Sequence, residues 1–223
     1  LARDRLLILP PKARVVLAPS TDTTPEVPRV IIPDDPTQPP VYIPGPVKPP
    51  PPPADDSLVV IDIRNQLPRD DNNGPFGRAL KTLGLTYHWL GADYSRVASD
   101  SESVAYLIRV AYDHIRKDWS TDGSGAFGNT IMYHEAISPL GTIIILRDYE
   151  EIAWHAGNEA ANTSTRAILV MCGPNTPPTP AQTRAVRMRW EDFGRSQIRG
   201  HQEWSSTACP GPQLMEQIRQ IRA

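Results

Sequence analysis

A chain of 223 residues with 23 lysines and arginines against 25 aspartates and glutamates has a formal net charge of -2. That length suits one domain with a sizeable core plus additional chain, and the charge balance offers no basic excess for nucleic acid. No apolar run approaches the ~20 residues that span a bilayer, and two cysteines, Cys172 and Cys209, make no disulfide framework.

Of the 25 prolines, 16 fall within residues 1–53, ending in the run Pro49 to Pro53. Proline fixes φ and removes a donor, so this segment forms neither helices nor central strands. It reads as an extended arm with polyproline II character, semi-rigid at the proline run. The run Leu6-Leu7-Ile8-Leu9 is too short for a signal-peptide core of about 7–15 residues. The chain begins at Leu1 rather than Met, which reads as a processed product or a piece of a longer one. Apolar islands interrupt the arm: Arg14-Val15-Val16-Leu17, Arg29-Val30-Ile31-Ile32 and Val41-Tyr42-Ile43. The plain reading is a spacer. The sharper one is an anchor, residues 1–53, whose islands dock on a partner as edge strands. The predicted organisation is an arm of residues 1–56 and a folded domain of residues 57–223.

Globular patterning begins near Ser57. Residues 58–63, Leu-Val-Val-Ile-Asp-Ile, read as a strand, and residues 84–90, Gly-Leu-Thr-Tyr-His-Trp-Leu, as a second. Val104, Leu107, Ile108, Ala111 and Ile115 form a helical stripe over residues 101–118, capped by Asp100 or Ser101. Residues 131–137 and 142–146 read as a hairpin around Ser138-Pro139-Leu140-Gly141. The apolar run Ala167 to Cys172 suits a buried central strand, with Cys172 an inert core thiol. Thr179-Pro180 opens a helix whose face carries Val186, Trp190, Phe193 and Gln197, and residues 213–221 form a short terminal helix. Strands and helices mix without strict alternation, which predicts an α/β fold with a mixed central sheet flanked by helices.

The chemistry concentrates in the tail, His201-Gln202-Glu203-Trp204-Ser205-Ser206-Thr207-Ala208-Cys209-Pro210-Gly211. Imidazole nitrogen and thiolate sulfur are the ligands zinc prefers. Two ligands with no CxxC elsewhere point to a catalytic site with one further protein ligand and an open position. Four histidines remain as candidates for that ligand. His114 has polar neighbours and reads as a surface residue. His134 follows Tyr133 in a strand, so the two point to opposite faces. His88 ends an apolar strand, and His155 sits in the turn Trp154-His155-Ala156-Gly157. Spacing alone leaves His88 and His155 both open. Arg147-Asp148 and Glu150-Glu151 read as a solvated loop.

These motifs resemble the zinc-dependent N-acetylmuramoyl-L-alanine amidases of the group that includes phage amidase-type lysozymes and peptidoglycan-recognition proteins. The resemblance rests on Tyr133-His134-Glu135-Ala136-Ile137 with Gly141-Thr142-Ile143, on Trp154-His155-Ala156-Gly157, and on His201 through Cys209-Pro210-Gly211. It covers roughly residues 57–223 and leaves out the arm. It implies His88, His201 and Cys209 as zinc ligands, Tyr133 as a catalytic tyrosine, and Thr207 as a position beside the metal. His155 then matches a groove-lining histidine that binds substrate or passes a proton to the leaving amine. The implied substrate is peptidoglycan, cut between the lactyl group of N-acetylmuramic acid and the first L-alanine of the stem. The place of action is the cell wall outside the cytoplasm, or a phage virion. Trp89 departs from the many relatives that carry a second histidine or a small residue after the first ligand. The alternatives are a peptidoglycan-binding module without hydrolysis, or a structural component of a virion or envelope assembly held by the arm.

Overall fold

Alternation along the strands builds two cores from one sheet. In the strand Thr165–Val170, Ile168 and Val170 enter one apolar cluster while Leu169 enters another, because successive side chains point to opposite faces. The same split runs through Ile143–Ile145, where Ile143 and Ile145 face one way and Ile144 the other. The structure is a computed structural model that describes residues 13–17, 30–31, 41–42, 58–75, 77, 83–120 and 122–223. The proline run at residues 49–53 and the junction near residue 56 lie outside the described residues.

In chain order the strands are Ala13–Leu17 (β1), Val30–Ile31 (β2), Val41–Tyr42 (β3), Leu58–Asp62 (β4), Gly84–Trp89 (β5), Glu135–Ile137 (β6), Ile143–Ile145 (β7), Thr165–Val170 (β8) and Gln197–Gly200 (β9). The helices are Asp100–Arg116 (α1), Glu159–Ser164 (α2), Pro180–Asp192 (α3) and Pro212–Arg222 (α4). A mixed sheet runs in the order β1-β4-β7-β6-β8-β5-β9. Its β6–β7 hairpin is antiparallel and its other pairings are parallel. α3 and α4 cover one face through Val186, Leu214, Met215 and Ile218, and α1 covers the other through Leu107 and Ala111. This is the mixed sheet flanked by helices that the sequence predicts. β1 lies at the sheet's edge beside β4, the position open to a strand in proline-rich chain, and β2 pairs with β3 separately.

Local chemistry sets the helix ends. Ser99 caps α1, its hydroxyl accepting from Glu102 N–H at 3.2 Å while the Glu102 carboxylate accepts from Ser99 N–H at 2.7 Å. That reciprocal pair satisfies two orphan donors and moves the cap one residue before Asp100. The Asp100 carboxylate instead accepts from the Ser138 and Thr142 hydroxyls at 2.6 and 2.8 Å, tying α1 to the hairpin turn. α3 stops at Asp192, and Gly194 follows at φ +65°, a left-handed position that favours glycine. Gln197, expected on that helix, is therefore the first residue of β9.

His114 is packed rather than on the surface. Its Nδ1 accepts from Met132 N–H at 3.0 Å, and its ring lies 5.0 Å from Trp119 and 5.6 Å from Tyr133. Burial pulls its pKa from the ordinary 6.5 down to about 4. The unfolded chain takes up a proton below about pH 6.5 that the folded chain refuses, so this contribution is whole above that pH and is lost as pH falls towards 4. Denaturant unfolding of His114→Gln should lose roughly 2–3 kcal/mol less than the parent over that window. An unchanged pH slope would remove His114 as its source.

Candidate metal centre and groove

Parallel register brings the first two candidate ligands together. β5 and β9 are neighbours with Tyr87 opposite Gly200, so His88 and His201 emerge side by side where the strands end. Their ring centroids are 4.7 Å apart. The carboxyl ends of parallel strands are where open α/β sheets bind ligands. On β5, Leu85 and Tyr87 fill the core under α3 and α4, which turns Thr86 and His88 to the opposite face.

The tail then folds back on itself. Gln202 N–H donates to the Cys209 carbonyl at 2.8 Å, and Gly211 N–H donates to the Ala208 carbonyl at 2.7 Å. Gly211 has φ +81°, and a Cβ there would lie 2.3 Å from the Trp89 ring. Trp89 thus packs beneath the turn, and glycine is what lets the turn close over it. The result sets Cys209 Sγ 3.6 Å from His88 Nδ1. The ligand atoms of His88, His201 and Cys209 all lie within 4.8 Å of one another.

The donor set fits a zinc-like cation. Bonds of about 2.1 Å to nitrogen and 2.3 Å to sulfur, at the tetrahedral angle, separate the two atoms by about 3.6 Å. Burial pulls His88 well below the ordinary imidazole value, helped by the neighbouring His155 and His201, so the ring is neutral and holds a free lone pair. Burial pushes the Cys209 thiol up to about 11. A thiol so placed becomes a thiolate when a bound cation displaces its proton.

The other predicted site residues gather around these three. Tyr133 stands just before β6 with its ring 5.2 Å from His88. Its segment is anchored by Arg147, which is buried and not part of a solvated loop. Arg147 Nη1 donates to Asn129 Oδ1 at 3.1 Å and to the Ile131 carbonyl at 3.2 Å, and Nε lies 3.5 Å from Glu151. Burial raises Tyr133 well above the usual phenol range, with Cys209 adding to it, so the phenol keeps its proton. Thr207 Oγ1 accepts from Cys209 N–H at 3.2 Å. His155 is buried against His88, Nδ1 to Nε2 at 3.0 Å. His134 faces away: its Nδ1 accepts from Ala167 N–H at 3.0 Å, and its Nε2 lies 2.8 Å from the Glu151 carbonyl. Both rings that spacing left open, His88 and His155, belong to one cluster.

A groove of about 650 Å³ runs past the cluster, lined by Trp119, Trp154, His155, His201, Ser205 and Thr207 among others. The sequence gives Trp119 no signal, because it follows the helical stripe and carries no motif. Its indole N–H donates to the His114 carbonyl at 3.0 Å, which fixes the ring.

An α/β sheet thus carries a candidate His/His/Cys metal site at its strand ends. The family described as N-acetylmuramoyl-L-alanine amidase matches residues 81–212. The chain belongs to that family. Among solved structures it is similar to bumblebee PGRP-SA (TM-score 0.58, 15% identity, 73% of this chain and 94% of that one). Drosophila peptidoglycan recognition protein SD matches with TM-score 0.58 and 15% identity, over 73% of this chain and 94% of that one. Peptidoglycan recognition protein-LE, solved in complex with tracheal cytotoxin, matches with TM-score 0.54 and 17% identity, over 72% of this chain and 92% of that one. These likenesses show the fold. No curated protein matches the sequence.

Proposed function

We propose that the chain is a zinc-dependent amidase that cleaves peptidoglycan between the lactyl group of N-acetylmuramic acid and the L-alanine of the stem peptide. One observation carries the reading: three donors of zinc's preferred kinds, from β5 and from the loop after β9, meet within 4.8 Å beside a groove. Family membership supports the bond class.

His88, His201 and Cys209 would hold the metal. When bound, zinc supplies a Lewis acid that activates water near neutral pH and polarises a carbonyl. The chain's own groups do the rest. Tyr133, kept protonated by burial, donates a hydrogen bond to the oxygen on which charge develops. Thr207 spends a lone pair on Cys209 N–H, which leaves its hydroxyl proton for the groove. Trp119 and Trp154 give the groove aromatic surface for sugar rings, and its open form suits a polymer of sugars and peptides.

Removing one such donor costs about 2.7–4 kcal/mol, or 10²–10³ in kcat. Tyr133→Phe is therefore expected to keep its zinc and lose about that much turnover. Full activity in that variant would end the tyrosine's role. Zymography on cell walls tests the whole reading: clearing with zinc present supports it, and binding without clearing would make the chain a recognition module instead.

Peptidoglycan lies outside the cytoplasm, so the reading places the activity at the wall, with delivery by a virion as one route. Residues 1–53 as an anchor to a virion or envelope protein is a separate proposal. Limited proteolysis tests it: an arm cut in the free chain and protected in an assembly supports the anchor, and equal cleavage refutes it.

A further inference from the structure

His88 has two ring nitrogens, and a chain of hydrogen bonds behind it decides which one faces the cluster. That chain ends at the Ala161 carbonyl, to which the Thr165 hydroxyl donates at 2.9 Å. A carbonyl only accepts, so the 2.9 Å contact draws the single hydroxyl proton of Thr165 there, beside the Thr165 N–H and the His155 ring N–H that the same carbonyl serves. Thr165 Oγ1 is left as an acceptor towards its other two neighbours, Thr86 Oγ1 at 2.7 Å and His155 Nε2 at 3.5 Å. Thr86 can donate to it because Thr86 accepts, in turn, from the Trp204 indole N–H at 2.9 Å, a group that only donates.

The remaining proton positions follow. His155 carries its proton on Nε2, facing Thr165. Its Nδ1 is then bare and accepts from His88 Nε2–H at 3.0 Å. His88 in that tautomer has its lone pair on Nδ1, the atom 3.6 Å from Cys209 Sγ. The opposite polarity would set a bare His155 Nε2 against the lone pairs of Thr165 and a proton on the His88 nitrogen that faces the cluster. His88 and His155 are 1% and 6% exposed, so solvent does little to compensate such a mismatch.

We propose that His155 is a positioning residue: its Nδ1 holds His88 as the Nε2–H tautomer and thereby makes His88 Nδ1 the donor atom for the cation. The inference rests on the zinc reading of the site. It replaces the proton-passing role for His155, since both ring nitrogens already have partners inside the protein.

The test is zinc affinity of the full chain, measured by competition with a chromophoric chelator. His155→Asn keeps an acceptor oxygen where Nδ1 stood and is expected to bind within about threefold of the parent. His155→Leu removes the acceptor and is expected to bind about 10–100-fold more weakly, the usual cost of losing a partner behind a ligand. His155→Phe removes the acceptor while keeping a ring in place, and should weaken zinc in the same direction if His155→Leu does not fold. ¹⁵N NMR of the zinc-loaded parent should find His88 protonated at Nε2 and bound at Nδ1. Parental affinity in both His155→Leu and His155→Phe, or a His88 protonated at Nδ1, overturns the inference while leaving the zinc reading intact. A parent that binds no zinc overturns both.

Discussion

Cys209→Ser is expected to leave a folded chain that neither retains zinc nor hydrolyses its substrate. The thiol sits 3.6 Å from His88 Nδ1 and is half-buried at the mouth of the cluster, so the substitution removes a ligand without opening a core cavity. On the proposed zinc reading, loss of the metal would return the pKa of the attacking water from about 7 to 15.7, and activity should fall by at least about three orders of magnitude. Metal analysis of the dialysed protein, run beside an activity assay, checks both halves. Cys172→Ser is the control. Cys172 lies in the core beneath α3 and α4, and burial pushes its thiol up to about 12. It should keep zinc and activity. A Cys209→Ser protein with stoichiometric zinc would mean that the cluster is not the ligand set.

Arg189→Met should cost the fold about 3–5 kcal/mol, the penalty for leaving a buried charge without its partner. Arg189 on α3 and Glu135 on β6 are 3% and 0% exposed. Arg189 Nε donates to Glu135 Oε2 at 2.8 Å, Nη2 donates to the other carboxylate oxygen and to the Tyr149 hydroxyl, and Nη1 donates to Asp192 Oδ2 at 3.3 Å. Carboxylate and phenol partners outweigh burial and hold the guanidinium above its ordinary value. Replacing both ends with apolar residues, Glu135→Leu with Arg189→Met, should recover much of the loss, because neither charge is then orphaned. Denaturant midpoints of the two single variants and the double variant measure this. A single variant costing under about 1 kcal/mol would show that the pair is dispensable.

Much of this was legible in the residues, and the rest failed for identifiable reasons. β4, β5, the β6–β7 hairpin and β8 follow from apolar runs and turn residues, because buried strands carry their signal locally. The ambiguity between His88 and His155 did not yield to spacing, since the answer lies in the register of β5 against β9, a long-range fact. Ser99 was readable as a cap from Glu102 three residues on, but Asp100 and Ser101 compete for the role on propensity alone. His114 stands at the i+7 position from Leu107, on the buried stripe with Ala111. Its polar neighbours belong to the helix's other face and misdirected the reading. Arg147 carries no such hint: a buried arginine is specified by the carbonyl and amide oxygens it meets, which only the folded chain assembles.

The central claim is hydrolysis of one particular amide. Purified cell wall digested by the zinc-loaded full chain, with fragments read by mass spectrometry, tests it most directly. The account predicts free stem peptides beginning at L-alanine and glycan strands with intact lactyl groups. Wall that is bound yet releases no such peptides, or fragments cut within the glycan or the peptide, would contradict it.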